Sequence, residues 1–320
     1  MEPAELDLFD RTVRAATEAH TGPGLDAALV ELGWHEALAD DPKAAVSVLF
    51  EHQGRVPSTS AALEDVFGSA LGAVGEPGMA VVLPELGRAE PPAHRDADRV
   101  VVHGLGTPRL VRQGTALVVA KGSGGDVVAL VKTSELTTRP VRGMDPELGL
   151  AEVVGPATAL TPPAPVDPGA WNEAVTRARL AVGHEMAGAS TAMLELARVH
   201  AMGRVQFGGP IASFQAVRHR LADTLVALEA ARALLDAAWH DGTAETAAMA
   251  KAASGRAART ASRHCQQVLA GIGFTTEHPL HRYVRRALVL DELLGSASAL
   301  TAEIGREVLA RRRLPAQLPL

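Results

Sequence analysis

One stretch of the sequence decides how the fold is interpreted: Arg204-Val205-Gln206-Phe207-Gly208-Gly209-Pro210-Ile211, followed by Phe214-Gln215 and, eight residues further on, by Asp223. Adjacent glycines and a proline predict a tight turn that leads into a helix. Such a turn can present backbone N–H groups and a guanidinium to a phosphate, and an aromatic side chain to a flat ring. On composition alone, an ordinary turn between two helices is the preferred interpretation.

Long segments with helical periodicity surround this stretch. Apolar residues recur at the spacing of one helix face over residues 172–202, 211–240, 244–270 and 279–313, and a break in the last segment is expected near Gly295. Four long amphipathic segments with short connections predict an antiparallel four-helix bundle. We assign this C-terminal domain to residues 166–320.

Two smaller zones precede the bundle. Residues 1–77 show short helical repeats broken by glycine and proline, which predicts a short N-terminal helical domain. Within it, Glu64 is placed to close a capping box on the Ser58-Thr59-Ser60 segment. Residues 78–165 hold short β-branched runs between turn residues, which predicts a reduced middle domain built on a small antiparallel sheet or barrel. The predicted fold class is therefore mainly α with a small β domain.

Composition and charge argue against several kinds of partner and site. The 320 residues carry a net charge of −6, which favours neither nucleic acid nor an anionic membrane as a partner. The lone Cys265 excludes an intrachain disulfide and a thiolate cluster, and the scattered histidines predict no metal site. Apolar runs are too short for a membrane span, and the first twenty residues lack the apolar core of a signal peptide. The expected compartment is the cytoplasm.

The opening stretch resembles the Arg-x-Gln-Phe-Gly-x-Pro-Ile signature of acyl-CoA dehydrogenases. A second stretch, Gln267-Val268-Leu269-Ala270-Gly271-Ile272-Gly273-Phe274, followed by Glu277, Pro279, Arg282 and Arg285, resembles the Gln-x-x-Gly-Gly-x-Gly segment of the same family, with Ala270 in place of the first glycine. We call these the first and second FAD strings. The resemblance covers roughly residues 171–313 and implies the fold of the family: N-terminal helices, a middle β domain and a C-terminal four-helix bundle.

The resemblance also implies a cofactor and the residues that contact it. In the family both strings contact FAD across a subunit interface, and the second approaches the ADP half of the molecule. The residues of this chain that match are Arg204, Gln206, Phe207, Gly208, Gln267, Gly271 and Gly273. A cofactor shared in this way implies that the chain works as part of an oligomer.

The catalytic positions of the family are altered in this chain. Family members remove an α-proton with a glutamate, which in most of them directly precedes a Gly-Thr or Gly-Ser pair; that position is Leu294 here. In other members the base lies on the first long helix, at the position of Ala178. Neither side chain can accept a proton. Glu292 and Glu173 are weak substitutes, because a solvated or ion-paired role explains each more simply.

The segment that holds the flavin ring in the family is altered as well. This chain has Leu83-Pro84-Glu85-Leu86-Gly87-Arg88-Ala89-Glu90-Pro91 at the matching place, without the Gly-Ser-Asp of the family. We therefore predict that the flavin-ring and base sites are lost while the FAD strings at the subunit interface are kept.

Three hypotheses of function follow. In the first, the chain is the subunit without a base in a heteromeric acyl-CoA dehydrogenase. This hypothesis rests on a resemblance to the degenerate small subunits of actinobacterial enzymes that act on steroid side-chain thioesters. Its partners would be a second acyl-CoA dehydrogenase subunit, in a heterodimer or heterotetramer, an acyl-CoA substrate and an electron-transfer flavoprotein. In the second, the chain pairs with itself as a complete dehydrogenase with a relocated carboxylate. In the third, it is a flavin-free scaffold or a non-redox member of the fold.

Overall fold

A computed structural model describes residues 1–72, 77–96 and 99–312. The predicted ends of the last helical segment and of the C-terminal domain, at 313 and 320, lie outside the described residues. The chain forms two compact units. Residues 1–49, 58–181 and 292–295 form the first unit, and residues 50–57, 182–291 and 296 onward form the second. The predicted division into three domains at 77 and 165 stays a prediction.

Five helices occupy the N-terminal part of the chain: α1 (Pro3–Ala19), α2 (Pro23–Glu31), α3 (Trp34–Asp40), α4 (Pro42–Arg55) and α5 (Ala62–Ala70). Three of them begin with a proline, whose fixed φ suits the first helical turn and whose missing N–H costs nothing there. Apolar side chains from these helices are buried in the first unit, among them Leu25, Trp34 and Phe67.

The capping box predicted for α5 is wrong. The residue at the start of the helix is Ala61, which has no capping side chain. Glu64 is instead fully buried, and its carboxylate accepts hydrogen bonds from the backbone N–H of Thr107 at 3.0 Å and of Val81 at 3.3 Å. Buried backbone N–H groups need partners more than an exposed helix end does, since water can satisfy the latter.

The middle of the chain forms a mixed sheet. Its strands are β1 (Ala80–Val81), β2 (Ala93–Asp96), β3 (Arg99–Gly106), β4 (Thr115–Gly122), β5 (Gly125–Lys132), β6 (Thr137–Pro140), β7 (Ala151–Thr158) and β8 (Ala164–Pro165), and helix α6 (Pro108–Arg112) follows β3. The strand order is β6-β7-β3-β2-β4-β5-β8, and β4 pairs in parallel with both β1 and β2. The predicted β-branched runs, residues 80–83, 100–102, 116–119, 127–131 and 153–154, each lie wholly or partly in a strand. The parallel pairs correct the expectation of a purely antiparallel sheet.

Long helices dominate the rest of the chain: α7 (Ala170–Gly203), α8 (Gln215–Asp241), α9 (Ala244–Leu269), α10 (Leu280–Glu292) and α11 (Ala297–Arg311), with the two-residue strands β9 (Val205–Gln206) and β10 (Gly209–Pro210) between α7 and α8. The four predicted segments are helical, and the expected break near Gly295 separates α10 from α11. In the second unit, α8 and α11 pack on α9. The predicted fold class, mainly α with a small β domain, is confirmed.

Small residues let helices of the second unit approach closely. A Cβ built on Gly54 would lie 2.0 Å from the carbonyl oxygen of Glu185, and one on Gly188 would lie 2.1 Å from that of Glu51. Helix α9 buries mainly alanine, serine and glycine. None of the helices in the described residues is both long and apolar enough to cross a membrane.

Candidate functional site

The first FAD string forms a small hairpin at the end of α7. Strands β9 and β10 pair with each other, and the backbone N–H of Ile211 donates to the carbonyl oxygen of Arg204 at 2.8 Å. The tip of the hairpin is Phe207-Gly208, and both residues have positive φ angles, +53° and +87°. A phenylalanine in this region is strained, whereas a glycine is not. The sequence therefore fixes a sharply bent tip.

The tip of this hairpin is exposed. Phe207 is 93% exposed, and its ring meets that of Phe214 edge to face with centroids 6.1 Å apart. Arg204 and Gln206 are also exposed, and a Cβ built on Gly208 would meet nothing within 4 Å. Nearby positions in the sequence add further exposed apolar side chains: Val199, Met202 and Val205. A concentration of exposed apolar side chains marks a surface that a ligand or another protein covers.

The second FAD string is also exposed. It follows the end of α9, and Ala270 adopts φ +53° at the position where the family has a glycine. This accounts for the family's glycine, because an alanine there costs about 1 kcal/mol. Gln267 and Gly271 are exposed, and Phe274 is 71% exposed. Gly273 is buried, and a Cβ on it would lie 2.8 Å from that of Leu269.

Electrostatic interactions act between residues that flank the two strings. Burial lowers the pKa of His278, which follows the second string, and the charges of His200 and His281 lower it further. Burial also lowers the pKa of His200, in the last turn of α7, and so does the charge of Arg204. Because these effects require proximity, His200 and His278, which flank the two strings, lie near each other. Open glycine backbone, a guanidinium and exposed aromatic rings fit the nucleotide half of FAD.

The two positions that the family uses for its base lie in segments that contact each other. Leu294 is 3% exposed, and Ala178 is fully buried. Arg179, the neighbour of Ala178, donates from Nε to the carbonyl oxygen of Leu294 at 3.2 Å. Both positions therefore lie where the resemblance places a base, and both carry hydrocarbon side chains.

The two substitute carboxylates differ in their surroundings. Glu173 accepts a hydrogen bond from Arg177 Nε at 2.7 Å, as an ion pair one helical turn apart. Glu292 is exposed. Neither side chain is buried among apolar groups.

The segment that matches the flavin-ring loop of the family contacts the turn that carries Leu294. The backbone N–H of Gly87 donates to the carbonyl oxygen of Glu292 at 2.8 Å. On the same loop, the carbonyl oxygen of Ala89 accepts from Trp171 Nε1 at 2.9 Å. This hydrogen bond holds the loop against the turn, and the loop lacks the Gly-Ser-Asp that holds the ring in the family. These residues do not fit a flavin ring.

Sequence reasoning missed one polar cluster in the first unit. Asp65, beside the buried Glu64, forms an ion pair with Arg109 and accepts a hydrogen bond from Trp34 Nε1 at 3.1 Å. His35 Nε2 lies 3.4 Å from Asp65 Oδ1. Two adjacent acids in an otherwise apolar helix were the signal that could have revealed it. Within the described ranges, His, Cys, Asp and Glu side chains form no group of three or more that could hold a metal ion.

Comparisons with known proteins identify the class. Residues 169–312 match the family model of the acyl-CoA dehydrogenase C-terminal domain. The acyl-CoA dehydrogenase IpdE2 of Mycobacterium tuberculosis is 33% identical over 97% of this chain and 96% of its own length. IpdE2 of Mycolicibacterium smegmatis is 29% identical over 91% of this chain and 94% of its own length.

Two solved structures share the fold along almost the whole chain. A variant of the Tcur3481–Tcur3483 steroid ACAD has a TM-score of 0.81 and 24% identity, covering 97% of this chain and 99% of that one. The ChsE4–ChsE5 complex from Mycobacterium tuberculosis has a TM-score of 0.79 and 22% identity, covering 99% of each chain. The chain belongs to the acyl-CoA dehydrogenase family.

Proposed function

We propose that this chain is the subunit without a catalytic base in a heteromeric, FAD-dependent acyl-CoA dehydrogenase. The observation that carries the proposal is a contrast between two sites. Both FAD strings are exposed, with glycines, aromatics and Arg204 at the surface. The loop that matches the family's flavin-ring segment is hydrogen-bonded from Gly87 to Glu292 and lacks the Gly-Ser-Asp, and the residues at the two base positions are Leu294 and Ala178. Such a chain can complete a neighbour's cofactor site but has no complete site of its own.

The reaction that we propose is the α,β-dehydrogenation of an acyl-CoA thioester. When bound, FAD would supply the hydride acceptor for the β-hydrogen, and a carboxylate would have to take the α-proton. In this chain, Arg204 would pair with the cofactor's phosphates, while Phe207 and the backbone at Gly208 and Gly271 would cover its nucleotide half. The partner subunit would supply the carboxylate and the surface that holds the flavin ring. The electron acceptor that we propose is an electron-transfer flavoprotein.

The names of similar proteins support a heteromer and a steroid-type substrate. The ChsE4–ChsE5 structure is a complex of two differently named chains, and the Tcur3481–Tcur3483 protein is a steroid ACAD. We therefore propose a heterodimer or heterotetramer whose substrate is a thioester on a steroid or a steroid fragment.

The test is to purify the chain alone and together with the acyl-CoA dehydrogenase encoded beside it, and to compare visible spectra and FAD content. We expect flavin absorbance only in the complex. Arg204→Ala should weaken FAD binding by about 10- to 100-fold, the loss typical of a charge-assisted hydrogen bond. Arg306→Ala, which removes an exposed arginine on α11, is the matched control and should retain FAD.

Two outcomes would contradict the proposal. A single chain that is yellow and is bleached by an acyl-CoA would be a complete enzyme. Glu292→Gln and Glu173→Gln would then decide whether either carboxylate is its base. A complex that forms without flavin, even with FAD in excess, would favour the flavin-free scaffold.

A further inference from the structure

The first unit contains a cavity of about 360 Å³ beside α3 and α5. Apolar side chains from both helical and strand segments form much of its wall, including Leu38, Val81 and Leu117. Its volume lies within the range of small-molecule sites. Among the described residues, its lining includes no member of the two FAD strings and neither of the two base positions. The cavity therefore requires its own explanation.

Charged groups around this cavity are already matched in pairs. Asp65 forms an ion pair with Arg109, and Arg177 forms one with Glu173. Burial raises the pKa of Glu64, which also lines the cavity, to about 7, so this carboxyl is about half protonated at neutral pH. A ligand with a full charge would gain no unmatched counter-charge and would lose its hydration. The wall therefore favours a neutral ligand.

One polar atom of the lining makes no hydrogen bond within the described part of the chain. His35 Nε2 is buried and lies 3.4 Å from Asp65 Oδ1, within ion-pair distance but without the geometry of a hydrogen bond. A buried polar nitrogen that lacks a hydrogen bond is destabilising, so a ligand group that bonds to it is stabilised. The ring lines a cavity large enough to admit such a group. A carbonyl or hydroxyl oxygen is the neutral group that an imidazole N–H binds.

We propose that this cavity is a binding site for a neutral, mostly apolar small molecule that carries a carbonyl or hydroxyl group. The apolar body packs against Leu38, Val81 and Leu117, and the oxygen accepts a hydrogen bond from His35. The inference is independent of the proposed dehydrogenase heteromer, because it rests on a different part of the chain.

Three bicyclic probes of similar size test the chemistry: the ketone camphor, the hydrocarbon camphene and the anion 10-camphorsulfonate. Binding is measured by saturation-transfer NMR titration on the purified protein, in complex with its partner when the two co-purify. We expect camphor to bind. Camphene should bind about fivefold more weakly, because it lacks one neutral hydrogen bond. The sulfonate should not displace camphor.

Two variants test the location. Gly68→Leu fills the cavity from α5, where an added Cβ has room because its nearest neighbour, a methyl carbon of Val81, lies 3.8 Å away. It should weaken camphor binding at least tenfold. Gly305→Leu, the same change at an open position on α11, is the matched control and should bind like the wild type.

A third variant tests the hydrogen bond. His35→Phe keeps a ring in place but removes the nitrogens. Camphor should then bind no more tightly than camphene, and camphene should bind as it does to the wild type. A purely structural role for His35 would weaken both probes alike. The proposal is overturned if neither neutral probe binds, if the sulfonate competes equally, or if Gly68→Leu leaves camphor binding unchanged.

Discussion

Arg179 Nε lies 3.2 Å from the carbonyl oxygen of Leu294 and donates a hydrogen bond to it. Leu294 adopts φ +60° and is almost completely buried. The left-handed conformation costs a leucine about 1–2 kcal/mol, so this contact and the burial of the side chain offset local strain. The turn that carries the base in most of the family is thus held here as a packed structural element.

Restoring the missing carboxylate should not restore catalysis. We expect Leu294→Glu in the isolated chain to show no acyl-CoA dehydrogenase activity above background in a dye-reduction assay. The reason is that the proposed loss of the flavin-ring site is unaffected by this change, since Gly87 remains hydrogen-bonded to Glu292. If the partner subunit supplies the base, as we propose, the same variant in the complex should leave turnover per bound FAD unchanged. Substrate-dependent dye reduction by the isolated variant would contradict this prediction, because it would show that the chain can hold a working flavin ring.

The paired glycines of α4 and α7 should be among the least tolerant positions. Gly188→Ala places a Cβ 2.1 Å from the carbonyl oxygen of Glu51, far inside van der Waals contact, so the helices must separate. We expect the free energy of unfolding to fall by about 3 kcal/mol or more in urea titrations, at the upper end of overpacking costs. Gly305→Ala, on the open face of α11, is the matched control and should stabilise by about 0.5–1 kcal/mol.

Replacing one member of the buried ion pair between Arg286 and Glu185 should lower the free energy of unfolding more than replacing both members. The guanidinium is 1% exposed, and NH1 lies 3.0 Å from Glu185 Oε1. Arg286→Met leaves a buried carboxylate and should cost about 3–5 kcal/mol in urea unfolding. Adding Glu185→Gln to that variant should recover part of the loss, since a neutral amide is cheaper to bury than a charge. Strictly additive effects would mean that the two side chains do not interact.

Much of the fold was predictable because it depends on local periodicity. The helices from Ala170 to Arg311 follow their apolar repeats closely, and Gly295 marks the break between α10 and α11. Strand β2 was missed because three of its four residues, His94, Arg95 and Asp96, are exposed and polar and read as a turn. Strand β8 was missed because it lies in the proline-rich stretch that suggested a connection.

The candidate site could be proposed from the sequence only where its residues lie in short local segments. The two FAD strings and the base positions at Leu294 and Ala178 are such segments, and their roles stay predictions. The hydrogen bond between Gly87 and Glu292 joins residues about 200 positions apart, and that between Glu64 and Thr107 spans 43 positions, so neither could be foreseen. Glu64 was misassigned for this reason: the sequence shows the carboxylate but not the distant backbone N–H groups from which it accepts hydrogen bonds.

Glu64 should make stability depend on pH. Burial raises its pKa from 4.5 to about 7, against the opposing effect of Arg109 and the hydrogen bonds to Thr107 and Val81. Between these two values the folded chain binds more protons at this group than the unfolded chain does. The contribution of Glu64 to stability is therefore complete below pH 4.5 and is lost as the pH rises through 7. The loss attributable to this one group is about 3 kcal/mol, at 1.36 kcal/mol per pKa unit.

Glu64→Gln isolates this effect, because its side chain does not titrate. In urea titrations at pH 5, 6, 7 and 8, the free energy of unfolding of the variant minus that of the wild type should rise with pH and level off near pH 7–8. The constant part of that difference reflects the amide's poorer fit to two N–H donors and carries no information about ionisation. Glu36→Gln, at an exposed position on α3, is the matched control and should stay parallel to the wild type across this range. A flat difference for Glu64→Gln would mean that this carboxyl stays ionised in the fold, because its hydrogen bonds outweigh its burial.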